Sequence, residues 1–347
     1  MTGIIPYAAW QVSLLVLDQA PVDLTPKLAP RVTRLTLSER RGGEADQLEI
    51  SIDNTDGRVA IPPKGAVLKV AIGWARGSGV PIGLVDKGSF HVDETGAEGP
   101  PDVITLRARS ADLASGFTVR KERGFVGKSV GTVIAAIAAD NGYTARVDGD
   151  LAGKVIPALG HGPMSDAALL KALGRRYDAT ATVKAGFLVF AHVGKGRTAG
   201  GTTIPPILLA RTDGGPYRYT SPKRGQYNGV EAHWHDKASA SRQVVSIGVS
   251  GTGKPKRLRK IYANETDARD ACAAAYNRMG RDGERLELTL PFGRPDYYPD
   301  RAVTVSGYLP EIDAIPWLIG EIAHDMDGRG GLVSRMTLET GPASKSD

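Results

Sequence analysis

A chain of 347 residues with 41% hydrophobic and 24% charged side chains is too apolar for intrinsic disorder and long enough for two or three domains, each with its own core. Lys and Arg number 44 against 38 Asp and Glu, so the net charge of +6 is spread over a mixed surface with no long single-sign tail. The single cysteine, Cys272, excludes an intramolecular disulfide, and 43 glycines with 22 prolines among few aromatics imply many short elements joined by tight turns, hence a β-rich fold. The mildly apolar opening MTGIIPYAAWQVSLLVLDQ has no basic leader, and no apolar run approaches about 18 residues, so neither a secretion signal nor membrane insertion is expected.

In chain order, the first third predicts strands near 8–17, 31–40, 47–53, 66–74, 83–94 and 102–110. Leu48, Ile50 and Ile52 alternate with Glu49, Ser51 and Asp53, and Leu68, Val70, Ile72 and Trp74 repeat the pattern, the period of a half-buried strand. NTDGR (54–58), PPKG (62–65) and EGPPD (98–102) supply turn chemistry between them, which implies an antiparallel sheet or barrel. After Asp112 the period changes. Ser129 can cap a helix with Val130, Val133, Ile134 and Ile137 on one face, ended by Asn141-Gly142. Ser165 can cap a second helix, with Leu169, Leu170, Leu173 and Tyr177 inward. A hairpin through Lys184-Ala185-Gly186 follows, completing a small α/β unit over 113–200 that ends in the linker GKGRTAGGTT (194–203). Strands return near 227–235, 242–249, 284–291, 302–308, 316–324 and 332–340. A helix near 264–280 interrupts them, with a small-residue stripe of Ala268, Ala271, Cys272, Ala275 and Met279.

No constellation completes a site. GFVGKS (124–129) ends like a phosphate loop but has Glu122 where the first glycine belongs, and in GVSGTGKP (248–255) Pro255 replaces the hydroxyl. Glu231, His233 and His235 share one face of a strand and could hold zinc only with a further ligand; a solvated polar face explains the same alternation. Cys272 in its alanine stripe reads as a small buried thiol. Asp296 and Asp300 in DYYPD suggest a glycosidase pair but sit in proline-rich turn sequence, and DMD (325–327) lacks the distal Glu of a calcium loop. KPKRLRK (254–260) carries five cations without interleaved aromatics and reads as a solvated or interface loop, not a sequence-specific reader of nucleic acid. No catalytic, metal or cofactor residue is therefore assigned.

Several blocks in fixed order resemble one known family: RVTRLTLSERRGGEADQLEISIDNTDGRVAIPPKGAVLKVAIGW (31–74), GSFHVDETGAEGPPDVITLRARSADL (88–113), SDAALLKALGRRYDATATVKAGFLVFAHVGKG (165–196), GVEAHWHD (229–236) and PEIDAIPWLIGEIAHDMDGRGGLVSRMTLETG (310–341). Together they span nearly the whole chain and resemble the phage late control D proteins, the baseplate hubs of contractile tails. The resemblance implies a mainly β (α+β) fold of two tail-tube-like antiparallel β-barrels with an intervening small α/β domain. The first barrel would occupy 1–112, the α/β domain 113–200 and the second barrel, with its inserted helix, 201–347. It also implies a non-enzymatic homotrimer that joins the hexameric tail tube to the trimeric spike. Its partners would be the tail spike protein, the tail tube or tube-initiator protein, and baseplate wedge and tape-measure proteins. Such a protein is made in the bacterial host cytoplasm and ends in the virion tail baseplate or a phage-tail-like particle. The alternative is a cell-wall hydrolase of the tail tip, which would need one of the incomplete sites above.

Overall fold

The computed structural model describes residues 3–15, 20–42, 45–61, 65–110, 117–156, 163–184, 186–222, 227–251 and 253–341. The fold is mainly β, in several sheets. The first strand group comprises β1 (Tyr7–Leu15), β2 (Val22–Asp23), the one-turn α1 (Thr25–Leu28), β3 (Val32–Arg40), β4 (Gln47–Asp53), β5 (Val67–Arg76), β6 (Gly83–Glu98) and β7 (Val103–Ser110). The end of the predicted strand 8–17, the PPKG turn at 62–64 and the boundary near 112 lie outside the described residues. Alternation places Leu35, Leu37, Leu48, Ile50, Ile52, Val70 and Ile72 on one buried face, where each contributes about 1.5–3 kcal/mol.

Next come β8 (Arg120–Lys121), α2 (Val130–Asp140), β9 (Thr144–Val147), α3 (Gly149–Ala152), β10 (Met164–Ser165), α4 (Asp166–Tyr177), β11 (Ala179–Lys184) and β12 (Phe187–His192). The side chain of Ser129 accepts a hydrogen bond from the Thr132 amide, and that of Ser165 accepts one from the Ala168 amide, so both helices start at the expected caps. Gly142, at φ +78°, turns the chain out of α2 in a conformation that costs glycine nothing. The two helices pack their apolar faces against the sheet β11-β12-β9 around Val133, Ile134, Ile137, Leu173, Leu188 and Phe190.

The last part holds β13 (Ile207–Ala210), β14 (Tyr217–Thr220), β15 (Tyr227–Asp236), β16 (Ser241–Ile247), β17 (Lys254–Tyr262), α5 (Glu265–Arg281), β18 (Arg285–Leu290), β19 (Ala302–Ser306), α6 (Pro310–Asp313), β20 (Trp317–Asp327) and β21 (Leu332–Thr340). Here the structure departs from the sequence expectation. The strands near 227–235 and 242–249, expected in the same barrel as those after 284, hydrogen-bond to neither β18 nor β21. They join β17 in a separate sheet of order β16-β15-β17. Helix α5 covers it and buries Val230, Ala232, Val245, Ala268 and Cys272 in a core of their own. The physical reason is the alanine stripe, which lets the helix lie close on this sheet and leaves no apolar face for the larger one.

The remaining strands of the last part continue the first strand group without a break. Hydrogen bonds trace β14-β18-β21-β20-β3-β4-β7-β6-β5-β1-β2, with β19 paired to β20 and β13 to β19. The two groups meet where β20 runs antiparallel to β3, from Glu321 opposite Arg40 to Asp327 opposite Arg34. Ser165→Ala removes the cap of α4 and is expected to cost about 1 kcal/mol, read as a lower unfolding midpoint in urea; an unchanged midpoint would show that the cap carries no stability.

Candidate functional site

The seam between β3 and β20 concentrates the polar groups that a mainly apolar interior would not otherwise hold. Along β3 the inward positions run Leu35, Leu37, Glu39; along β20 they run Ile322, His324, Met326. One polar residue on each strand therefore falls on the buried parity. A third arrives through a β-bulge. Between the pairs Val70–Gly88 and Ala71–Asp86 the register of β5 and β6 slips, and the extra residue is Lys87. The bulge is made possible by Gly88 at φ +94°, and it directs Lys87 inward.

There the ammonium of Lys87 donates to Glu39 Oε2 at 2.5 Å and approaches the carbonyl of Tyr297 at 3.5 Å. Ser334, on β21, accepts the Arg294 amide, and its hydroxyl is hydrogen-bonded to His324 Nδ1 at 2.8 Å. The other ring nitrogen, Nε2, faces both Glu39 Oε2 at 3.2 Å and the Lys87 ammonium at 3.3 Å. His324 and Ser334 are fully buried. Burial pushes His324 below its ordinary pKa and keeps it neutral, with Glu39 pulling the other way and Lys87 reinforcing the depression. Burial would raise Glu39, but its bonds to His324 and Lys87 outweigh that and hold it below the usual carboxylate range.

Ion pairs flank this network. Arg34 grips Asp325, which Arg335 also holds at 3.1 Å, and Arg40 meets Glu321 at 3.0 Å. Arg41, just past β3, binds Asp300 and Glu339 and donates to the Ile319 carbonyl at 3.2 Å. The indole N–H of Trp74 donates to the Gly293 carbonyl at 2.9 Å, another link between the two groups.

The residues weighed in the sequence are scattered. Asp296 is held by Arg294 at 2.7 Å, while Asp300 sits with Arg41, so each carboxylate is engaged by an arginine. Asp327 ties its own loop through the amides of Arg329 and Gly331. His233 and Glu231 lie 3.8 Å apart and Glu231 is taken by Arg257, while His235 is exposed. Among the described residues no group of three or more His, Cys, Asp and Glu side chains is placed to hold a metal ion. Cys272 is buried against the Val230 carbonyl, and burial pushes its thiol up. In 124–129 the Ser129 hydroxyl serves as the helix cap. In 248–255, Thr252 lies outside the described residues, and a strand, not a helix, follows. The run 254–260, read as a loop, is β17, because β15 offers it a parallel partner. The seam residues Glu39, Lys87 and His324 were not singled out in the sequence. The signal for two of them was present, a polar residue on the apolar parity of its strand.

The chain matches no family model. It is similar to the probable baseplate hub protein of Escherichia phage 186, 33% identical over 347 residues that cover 89% of this chain and 88% of that protein. The probable baseplate hub protein of Escherichia phage P2 is also 33% identical, over 355 residues covering 91% and 90%. Among solved structures, the 43 kDa tail protein of prophage MuSo2 from Shewanella oneidensis superimposes with a TM-score of 0.65 at 14% identity, covering 94% of this chain and 98% of that one. The E. coli c3393 protein, a component of the type VI secretion system, gives 0.54 at 10% identity, covering 96% and 77%. The chain belongs to the family of phage baseplate hub proteins, the late control D family that its sequence blocks resemble. It is a structural component of the virion tail.

Two outcomes test the seam. Lys87→Met leaves Glu39 buried without its cation and is expected to cost about 3–5 kcal/mol in urea unfolding, whereas pairing it with Glu39→Leu restores most of the loss. A single variant as stable as the wild type would refute the network. The folded state keeps His324 neutral and Glu39 charged, so the unfolded chain binds more protons in acid. Stability is therefore expected to fall as pH drops through about 6.5 and again through about 4.3. His324→Gln should flatten the first of these two declines in a series of urea melts; an unchanged slope would show that His324 does not contribute to it.

Proposed function

We propose that this hub protein is a trimeric adaptor joining the hexameric tail tube to the trimeric spike. The observation that carries the reading is the unbroken sheet through β3 and β20, which fixes two strand groups side by side within one chain. A six-fold tube and a three-fold spike do not match. Three chains that each present two rigidly joined tube-type barrels resolve the mismatch, because six quasi-equivalent units then face the tube while three-fold symmetry faces the spike. Each group has its own apolar cluster, around Leu37, Ile50 and Ile72 in one and Leu288, Val305 and Ile319 in the other, and the first also takes in Met326 and Leu332 across the seam. The terminal strands β2, β13 and β14 leave edges that neighbouring copies would cover. The partners in this reading are the spike protein, the tube or tube-initiator protein, and wedge and tape-measure proteins, met after synthesis in the host cytoplasm.

The role is a structural one without catalysis. A tail-tip hydrolase would use a free carboxylate pair or a metal, and the arginine partners of Asp296 and Asp300 speak against the first. Counting copies in purified particles by cryo-electron microscopy is expected to give three in the ring; six would overturn the adaptor reading. The double change His233→Ala with His235→Ala is expected to leave particle infectivity or killing within about twofold of wild type, as measured by titre. Stoichiometric zinc in the purified protein, lost in that variant, would count against the absence of a metal site.

A further inference from the structure

A second feature lies away from the seam, where α4 of the α/β unit, α5 of the small sheet and the ends of β3 and β21 converge. They enclose a cleft of about 590 Å³. Its floor holds engaged cations: Arg281 donates to Asp178 in a buried pair, and Arg41 is clasped by Asp300 and Glu339. The rim differs. Lys171 and Arg175 stand one turn apart on the exposed side of α4, and among the described residues neither has a carboxylate partner.

Arg278 faces them from α5. It donates to the Arg175 carbonyl at 2.5 Å and comes no nearer to Asp178 than 3.9 Å. Burial lowers the pKa of Arg278, Asp178 offsets this in part, and Arg281 and Arg175 lower it further. The positive surface continues on β17, where Lys260 lies over the Tyr262 ring and is lowered by burial and by Arg176. Asp282 also lines the cleft, so its lining carries five cations against three carboxylates, and the excess positive charge favours an incoming anion.

The shape of the recess selects among anions. Gly174, Ala168 and Ala181 line it, no aromatic side chain does, and nothing there could stack a base. Pro255 and a register slip in β17 between Arg257 and Ile261 blunt that strand as a template for another, so recognition falls to side-chain charge and not to added backbone pairing. We infer that the cleft forms a docking site for an acidic protein segment of another tail component, with carboxylates seated between Lys171, Arg175 and Arg278. The site requires neither the trimer nor the tube-to-spike role, so either conclusion can fail without the other.

The test uses the full-length protein and a hexaglutamate peptide, with hexaglutamine as its neutral counterpart, in titration calorimetry at low and physiological salt. Binding of hexaglutamate alone is expected, weakened by salt and reduced at least about tenfold by Lys171→Glu with Arg175→Glu. Lys27→Glu with Arg58→Glu makes the same change in net charge on the exposed surface of the first strand group and is expected to leave binding within about twofold. Lys171→Ala and Arg175→Ala, exposed truncations of low folding risk, should each give an intermediate loss. Equal weakening by the two charge-reversed pairs, equal binding of hexaglutamine, or displacement of hexaglutamate by duplex DNA at lower concentration would each overturn the proposal.

Discussion

The pairing of β3 with β20 is the constraint on which the rest of the molecule depends. It joins residues nearly three hundred positions apart and makes one sheet of two strand groups. Met326 and Leu332, from the end of the chain, pack into the core of the first group, so the cores are not independent at the seam. The polar network beneath it has an evident consequence for register. A slip of one residue would turn Glu39 and His324 to the opposite face and strand Lys87 as an uncompensated buried cation. Burying these groups is costly in itself; what they add is that only one alignment satisfies all of them.

The two peripheral units are attached by different physics. The α/β unit and the small sheet with α5 each keep a separate apolar core and meet one another largely through charge: Arg281 with Asp178, Arg176 with Asp267, Lys154 with Asp270. Asp178 itself sits at φ +54°, the left-handed end of α4, where an aspartate is tolerated and its carboxylate is aimed at α5. Charged joints of this kind are specific in geometry but contribute less than apolar burial, so the seam group forms the frame and these units are carried on it.

Such an arrangement suits a protein of a contractile tail. The continuous sheet ties the two strand groups together by backbone hydrogen bonds instead of a linker. The exposed Lys171 and Arg175 stand on α4, outside that frame, where they can be altered without touching the sheet pairing.

Much of this was legible in the residues. Period-two alternation located β4 and β21 to the residue and the other long strands except β17 to within a few positions, and Ser129, Ser165 and Asn141-Gly142 marked helix ends, because these signals are local: side-chain parity and capping need no distant partner. The family resemblance came from motif order, and the relatives of phages 186 and P2 agree with it. What the residues alone could not reveal is pairing. β17 looked like a basic loop, since its strand character comes only from β15 beside it, and β15 and β16 were grouped with strands they do not touch. The polar residues Glu39 and His324 stood on apolar parity in plain view, yet nothing local said that they would meet each other, or that a bulge would bring Lys87 between them. Local periodicity therefore determined the elements and their buried faces, whereas the tertiary structure decided which edges join, because sheet pairing and buried charge compensation are made between residues far apart in the chain.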